Sequence, residues 1–308
     1  MTLSTATEAA VAPAVPEDAD EVAPKKRLPI GAWLSIAWLV LVVFLALFAD
    51  LLPLHDPNVS VASKAELAPG EEGLWLGADG SSRDMLSRTI YGGRNSLGIA
   101  VGAVTIGFVI GGLLGLFSGY FRNWIGKSLA ALFDILLAIP ALVLALSLVS
   151  VLKGDPVQAP DAFRLPTILI LILALGVVSI PLLARITRGN TMAWAQREFV
   201  TAARAQGATN GRILFREILP NVLPAMAYIA LLGVAIAVVA EGGLAILGAS
   251  LDPPAATWGI MINDGKSAME DAPFIMFTPI VATFLTVMAL NYLGDLIRDR
   301  FDVRESAL

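Results

Sequence analysis

Long apolar stretches alternate with short polar ones along most of this chain. Six segments are dominated by Leu, Ala, Val, Ile and Phe: residues 30–52, 97–117, 129–152, 167–184, 222–247 and 274–297. A helix rises about 1.5 Å per residue, so roughly 20 apolar residues cross the hydrocarbon of a bilayer. Each segment is long enough, and together they predict an all-α, polytopic membrane protein with six transmembrane helices. Before the first segment lies "MTLSTATEAAVAPAVPEDADEVAP", rich in Ala, Pro, Thr and acids, with no helix-long apolar face. It reads as a disordered tail. The basic "KKR" comes late and the apolar run after it is too long for a signal core, so the first span is expected to be retained.

Composition agrees with this pattern. The 308 residues are 56% hydrophobic and 15% charged, with a mean hydropathy of +0.75, too apolar for a soluble domain of this length. There is no cysteine, which excludes disulfides, thiolate metal sites and a cysteine nucleophile. His55 is the single histidine, which excludes a His-rich metal site. A net charge of −5 argues against a nucleic-acid partner.

Positive charge predicts the orientation. With the N-terminus in the cytoplasm, the inner segments hold 14 of the 21 Lys and Arg residues and the outer ones 7. The inner set includes Lys25, Lys26 and Arg27 and six arginines between Arg185 and Arg216. This bias places both termini inside. Arg83, Arg88 and Arg94 run against it, close to the second span.

The second span repeats glycine as Gly98, Gly102, Gly107, Gly111, Gly115 and Gly119. Small residues at this spacing let another helix approach closely. Two readings stand: tight packing inside this chain, or a seam with a second membrane subunit or a moving helix. "GYFRNWIGKS" ends like a phosphate-binding loop, but six residues separate Gly119 from Gly126 where that loop needs four. Arg122 and Lys127 are read as anchors at the membrane surface. Energy for any uphill movement therefore has to come from a partner or an ion gradient.

Between the fourth and fifth spans the chain becomes polar and punctuated: "TMAWAQREFVTAARAQGATNGRILFREILPNVLP". Its first part is made of helix formers and predicts a helix. Gly207 supplies the stop, Thr209 or Asn210 caps a second helix, and Pro220 and Pro224 predict an elbow into span five. The pattern suits a docking loop or a pair of helices lying on the membrane surface. Two acids fall within spans. Glu241 lies before Gly242 and Gly243 toward the outer end of span five, and Asp134 near the start of span three. Intramembrane acids are costly and point to function by default. Glu241 either lines a route or steadies a gate, or is a structural carboxyl bonded to its surroundings; Asp134 is solvated or paired with an arginine.

The polar stretch resembles the "EAA" loop of binding-protein-dependent ABC importer permeases. The pattern falls on Thr201-Ala202-Ala203, Gly207 and Leu219-Pro220, with Thr201 in place of a Glu and Glu217 in place of an Ile. "LLPLHDPN", "WLGADGSSRDMLSRTIYGGRNSL", "FDILLAIP", "AEGGLAILG", "PPAATWGIMINDGK" and "NYLGDLIRDRFD" are similar, in order and spacing, to the C-type permease of dipeptide, oligopeptide and nickel importers. The resemblance implies a type I ABC permease bundle in a prokaryotic cell membrane. It implies a loop, 186–220, that couples to cytoplasmic ATPases through Glu198, Thr201, Ala202, Ala203, Gly207, Ala208, Arg212, Leu219 and Pro220. The implied partners are a B-type permease forming a heterodimer, two ATPase subunits that bind ATP and Mg, and an external substrate-binding protein. This chain would itself bind no cofactor and hydrolyse nothing. The expected solute is a di- or oligopeptide, with nickel or another small solute of the same branch as the alternative. The implied layout is a tail 1–27, a first span and outer loop 28–93, a permease domain 94–298 and a tail 299–308. The outer loops 53–93 and 248–272 are expected to meet the binding protein. An ion-coupled secondary transporter would call for inverted repeats and discontinuous spans, and the sequence shows no such repeat; a non-transporting scaffold would leave the polar loop without a purpose.

Overall fold

A computed structural model describes residues 28–154 and 164–305. The expected tail 1–27 lies outside the described residues. Besides two short 3-10 turns, the described residues form nine helices: α1 Ile30–Leu47, α2 Met85–Tyr120, α3 Trp124–Ala138, α4 Ala141–Lys153, α5 Thr167–Trp194, α6 Glu198–Ala205, α7 Asn210–Ile246, α8 Trp258–Asp264 and α9 Phe274–Glu305. No strand forms among the described residues, only two isolated bridges, Ser60 to Arg83 and Ala78 to Asp84. Helices α1, α2, α5, α7 and α9 are each long and apolar enough to cross a membrane. The turns at 121–123 and 195–209 share one end of the bundle, here the near end. The loops 48–84 and 247–273 share the other, the far end, where Lys153 and Thr167 both reach Asp252.

The third predicted span is not one straight helix. It is the pair α3 and α4, bent by 92°. Pro140 is the cause: it has no N–H to donate, and it forces Ile139 before it into an extended conformation, φ −82°, ψ 129°. Among the described residues five helices are long and apolar enough to span, or six spans are possible if the bent pair crosses as one.

Two predicted boundaries move, the first because a polar residue caps the helix early. Helix α2 begins at Met85, not near residue 97, so the expected 93/94 division falls inside it. Asp84 caps it, its carboxylate accepting from Leu86 N at 3.0 Å and Ser87 N at 3.3 Å. Helix α5 runs on to Trp194, ten residues past the predicted end.

The glycine row resolves to packing inside the chain. A Cβ built on Gly111 would stand 2.5 Å from Ile180 O, on Gly115 2.3 Å from Ala184 O, and on Gly119 2.7 Å from Arg188 O. Helix α2 thus lies backbone to backbone along α5, where no larger side chain fits. A single π-helical turn, Gly107–Gly111, lies within this seam. Gly98 meets nothing and sits outside it.

The core runs as connected apolar clusters down the bundle. Ile99, Ala103, Leu171, Ala174 and Leu244 join α2, α5 and α7. Val42, Ala100, Leu183, Val238 and Ala282 bring in α1 and α9. Outward-facing Leu, Val, Ile and Phe on the long helices remain exposed, as a lipid-facing surface requires.

Candidate functional site at the near end and its far-end counterpart

The 195–209 region is built around one turn. The predicted helix over 191–206 is in fact two, broken at 195–197, with the Arg197 guanidinium 5.4 Å over the Trp194 ring. Helix α6 then ends as predicted at Gly207, which holds φ +80°. Ala208 N donates to Ala203 O and Gly207 N to Arg204 O, both at 3.0 Å. These are the two bonds of a Schellman motif, which uses up carbonyls that a helix end would otherwise strand. Thr209 caps α7 through its hydroxyl, accepting from Arg212 N at 3.4 Å.

The predicted elbow is absent. Helix α7 runs unbroken for 37 residues from Asn210 to Ile246. Its π-helical stretch Ile213–Ile218 immediately precedes Leu219 and Pro220. The wider turn relieves the clash that a proline ring makes with the preceding turn. Pro224 lies inside the helix, which continues because Val222 and Met226 on either side are buried.

What holds the loop is apolar. Val200 of α6 and Ile213, Leu214, Ile218 and Val222 of α7 pack with Leu116 of α2 in one buried cluster. Tyr120 adds a hydrogen bond to Asn210 at 2.8 Å. The outward face carries most of the predicted coupling residues: Glu198, Thr201, Ala202, Gly207, Arg212 and Pro220 are exposed, whereas Ala203, Ala208 and Leu219 are half-buried. The small side chains of Ala202 and Ala203 beside the turn leave a surface that another protein can approach closely.

Glu241 lies at the opposite end of the same helix and is 1% exposed. Ser96 Oγ of α2 donates to its Oε2 at 3.1 Å, and Ser250 Oγ donates to its Oε1 at 2.9 Å. Ser96 Oγ in turn accepts Trp258 N of α8 at 3.0 Å. A buried carboxyl is tolerated when its oxygens are hydrogen-bonded in this way. Glu241 does not line the apolar groove of about 470 Å³ between α5 and α7; its neighbours Ala237 and Ala240 do, with Leu175, Leu182 and Tyr228. Asp134, by contrast, is exposed and stands 3.8 Å from Arg185.

Beyond Glu241 the far end has a second polar centre that was not predicted from the sequence. Asp79 accepts from Arg83 Nε at 2.8 Å and ion-pairs with Arg88 Nε at 3.1 Å, and accepts from Ser81 N and Arg83 N through its other oxygen. Arg88, 2% exposed, also donates to Pro57 O and Pro254 O, tying the two far-end loops together. Arg94 pairs with Asp50 at 2.8 Å. The three arginines that ran against the charge count therefore each have a carboxylate partner, Arg83 and Arg88 sharing Asp79. The sequence signal was present: acids stand four and nine residues before Arg83 and Arg88. A cavity of about 530 Å³ opens between these loops, with Arg83, Glu66 and the α8 residues Ile260, Asn263 and Asp264 in its wall. Asp264 has its carboxyl pushed above the ordinary range by burial, against the pull of Arg88 and Arg83.

Comparison with known proteins places this geometry. A family model described as "Binding-protein-dependent transport system inner membrane component" matches residues 111–306. The chain is 31% identical over 278 residues to a glutathione transport system permease protein, GsiD, of Pectobacterium atrosepticum, covering 90% of this chain and 87% of that protein. It is 33% identical to a dipeptide transport system permease protein, DppC, of Alkalihalophilus pseudofirmus, covering 87% and 85%. It is also 33% identical to a di/tripeptide DppC of Pseudomonas aeruginosa, covering 88% of each. Among solved structures, a chain of the MetNI methionine ABC transporter in inward-facing conformations matches with a TM-score of 0.57 at 21% identity, over 70% of this chain and 97% of that one. That likeness is one of fold.

Proposed function

The chain belongs to the family of binding-protein-dependent transport system inner membrane components, and from that premise we propose that it is the permease subunit of an ATP-driven importer of short peptides. Relatives named for dipeptides, di/tripeptides and glutathione, each at least 31% identical over most of the chain, support the solute class. A nickel or other small-solute importer of the same branch is the second reading, on the motif resemblance alone.

The observation that carries the mechanism is the near-end loop. It is an exposed helix–turn–helix surface rooted in the core by Val200, Ile213, Leu214 and Ile218. A surface held so firmly moves as one piece with α7. In the proposed mechanism the near end is cytoplasmic and docks into a separate ATPase. Glu198, Thr201, Ala202, Ala203 and Arg212 form the contact; Gly207 and Ala208 set the turn, and Leu219 and Pro220 lead into the span. Two ATPase subunits bind ATP and Mg and supply the energy, and this chain contributes none of the hydrolytic residues. A B-type permease completes the pathway, and an external binding protein delivers solute at the far end. Closure of the ATPases pulls the loop, α7 tilts with it, and the groove between α5 and α7 changes its access.

The test is reconstitution of the complete complex in liposomes. Ala203→Asp and Gly207→Trp are expected to abolish solute-stimulated ATP hydrolysis and uptake while membrane insertion stays normal. Wild-type values for both would remove the docking role. Mass spectrometry of the solute carried by the binding protein is expected to find short peptides, and a metal chelate in their place would select the second reading.

A further inference from the structure

Glu241 stands where three far-end elements meet the long helix. Its two oxygens take the hydroxyls of Ser96 on α2 and Ser250 in the loop after α7. Ser96 passes the connection on by accepting the first N–H of α8, at Trp258. Thr257 caps α8 by accepting from Ile260 N at 3.1 Å. Around this cluster the backbones are in contact: a Cβ on Gly259 would stand 2.6 Å from Gly242 Cα. Trp258 Nε1 donates to Thr89 O at 2.9 Å, and Asn95 Nδ2 to Ala256 O at 2.7 Å. Ser96, Thr257 and Trp258 are each buried to within 3% of completely.

The same helix that ends in this cluster begins at the near-end loop. At 1.5 Å per residue, the 37 residues of α7 span roughly 55 Å. Its other end supplies Ile213, Leu214 and Ile218 to the loop's apolar root. Glu241 is absent from the wall of the membrane groove, which takes its α7 residues from Tyr228 to Ala240. Its burial and its bonds to α2 and the loop after α7 suit attachment. Opening the cluster would strand a buried carboxyl and the N–H at the head of α8, so the attachment is costly to break.

We infer that Glu241 is a positioning residue that fastens α8 to α7, so that movement of the near-end loop reaches the far-end cavity whose wall α8 forms. The inference rests on the importer reading, and it adds what that reading lacks: a physical connection from one face of the membrane to the other. The carboxyl of Glu241 and the hydroxyls of Ser96 and Ser250 make it, and α7 is the rod.

The test uses the absence of cysteine in the chain. Met269, exposed and outside the cluster, is replaced in Met269→Cys, and its maleimide labelling rate is followed in the complete reconstituted complex with and without trapped ATP. In the parent the rate is expected to change several-fold with nucleotide. Glu241→Ala is expected to abolish that change while basal ATP hydrolysis continues, and Ser96→Ala, which removes one arm only, to reduce it. Glu241→Gln, which keeps an oxygen acceptor, is expected to retain part of it. A full nucleotide response in Glu241→Ala would overturn the assignment alone. So would an intact response with an altered half-saturation for solute, which would make Glu241 a residue of the pathway. A parent chain that responds to no nucleotide would overturn the importer reading, and this assignment with it.

Discussion

At the near end, buried Leu116, Val200, Ile213, Leu214, Ile218 and Val222 hold the 195–209 loop, and few polar side chains take part. At the far end apolar packing of Met85, Ala256, Met261 and Ile275 and of Leu67 with Leu74 is joined by buried ions and hydroxyls: Asp79 with Arg83 and Arg88, Asp84 at the head of α2, and Glu241 with two serines. Apolar packing is non-directional and tolerates small sliding, whereas a hydrogen-bonded buried ion pair has one geometry and is costly to leave half-made. The difference teaches a division of labour. The near end is a firm but smooth mount for an exposed surface. The far end is pinned, with two loops and α8 held in a single arrangement around a cavity.

The strongest way to break this comparison is to remove Asp79. Asp79→Ala leaves the buried Arg88 without its carboxylate, and losing one partner of such a pair costs about 3–5 kcal/mol. Thermal unfolding in detergent and hydrogen exchange are expected to show the 48–84 loop released, with the near-end loop still protected. Equal loss of protection at both ends would show that they are not separately built. Next in size is Ile213→Ala, which hollows the near-end cluster; a truncation of this kind costs about 3 kcal/mol. Here α6 should become protease-sensitive while the far end is unchanged.

Smaller effects sharpen the picture. At Gly207 nothing lies within 4 Å of an added Cβ, so Gly207→Ala meets no clash and only the left-handed φ of +80° resists it, at about 1–2 kcal/mol. Hydrogen exchange at Ala208 N and Gly207 N should accelerate, and an unchanged rate would mean the turn does not depend on glycine. The smallest expected effect is at Asp252, whose pKa lies below its ordinary value because Lys153 and then Thr167 hydrogen-bond its carboxylate. A depressed folded-state pKa means the stabilisation is present above the ordinary carboxylate range and is lost as pH falls through the folded value. Asp252→Asn should therefore lower the melting temperature slightly near neutral pH, and the gap from the parent should close as the medium becomes acid. A gap that persisted at low pH would assign the effect to packing.

Much of the near-end site was legible along the chain. Glycine after a run of helix formers is the common residue at a helix end because it takes the left-handed conformation, and Gly207 does so with the Schellman bonds. The proline reading was weaker, and for a definite reason. Pro140 and Pro220 carry the same chemical restriction, yet Pro140 follows an extended Ile139 and breaks the third span at 92°, while Pro220 follows a π-helical stretch and α7 runs on. Local chemistry sets the cost of a proline in a helix, and the packing of its neighbours decides whether the cost is met by breaking or by widening the turn. The partners of Glu241 were out of reach in the same way, since Ser96 lies 145 residues away and is chemically ordinary.

The sequence by itself determined the membrane character, the all-helical class, the approximate place of each span and the turn at Gly207, because these depend on hydropathy and on single-residue backbone preferences. The folded arrangement alone shows that the glycine row packs on α5, that Arg83, Arg88 and Arg94 are paired with Asp79 and Asp50, and that Glu241 joins α2, α7 and α8. Those facts depend on which distant side chains share a volume without water, where an unpaired polar group is costly and a larger residue has no room.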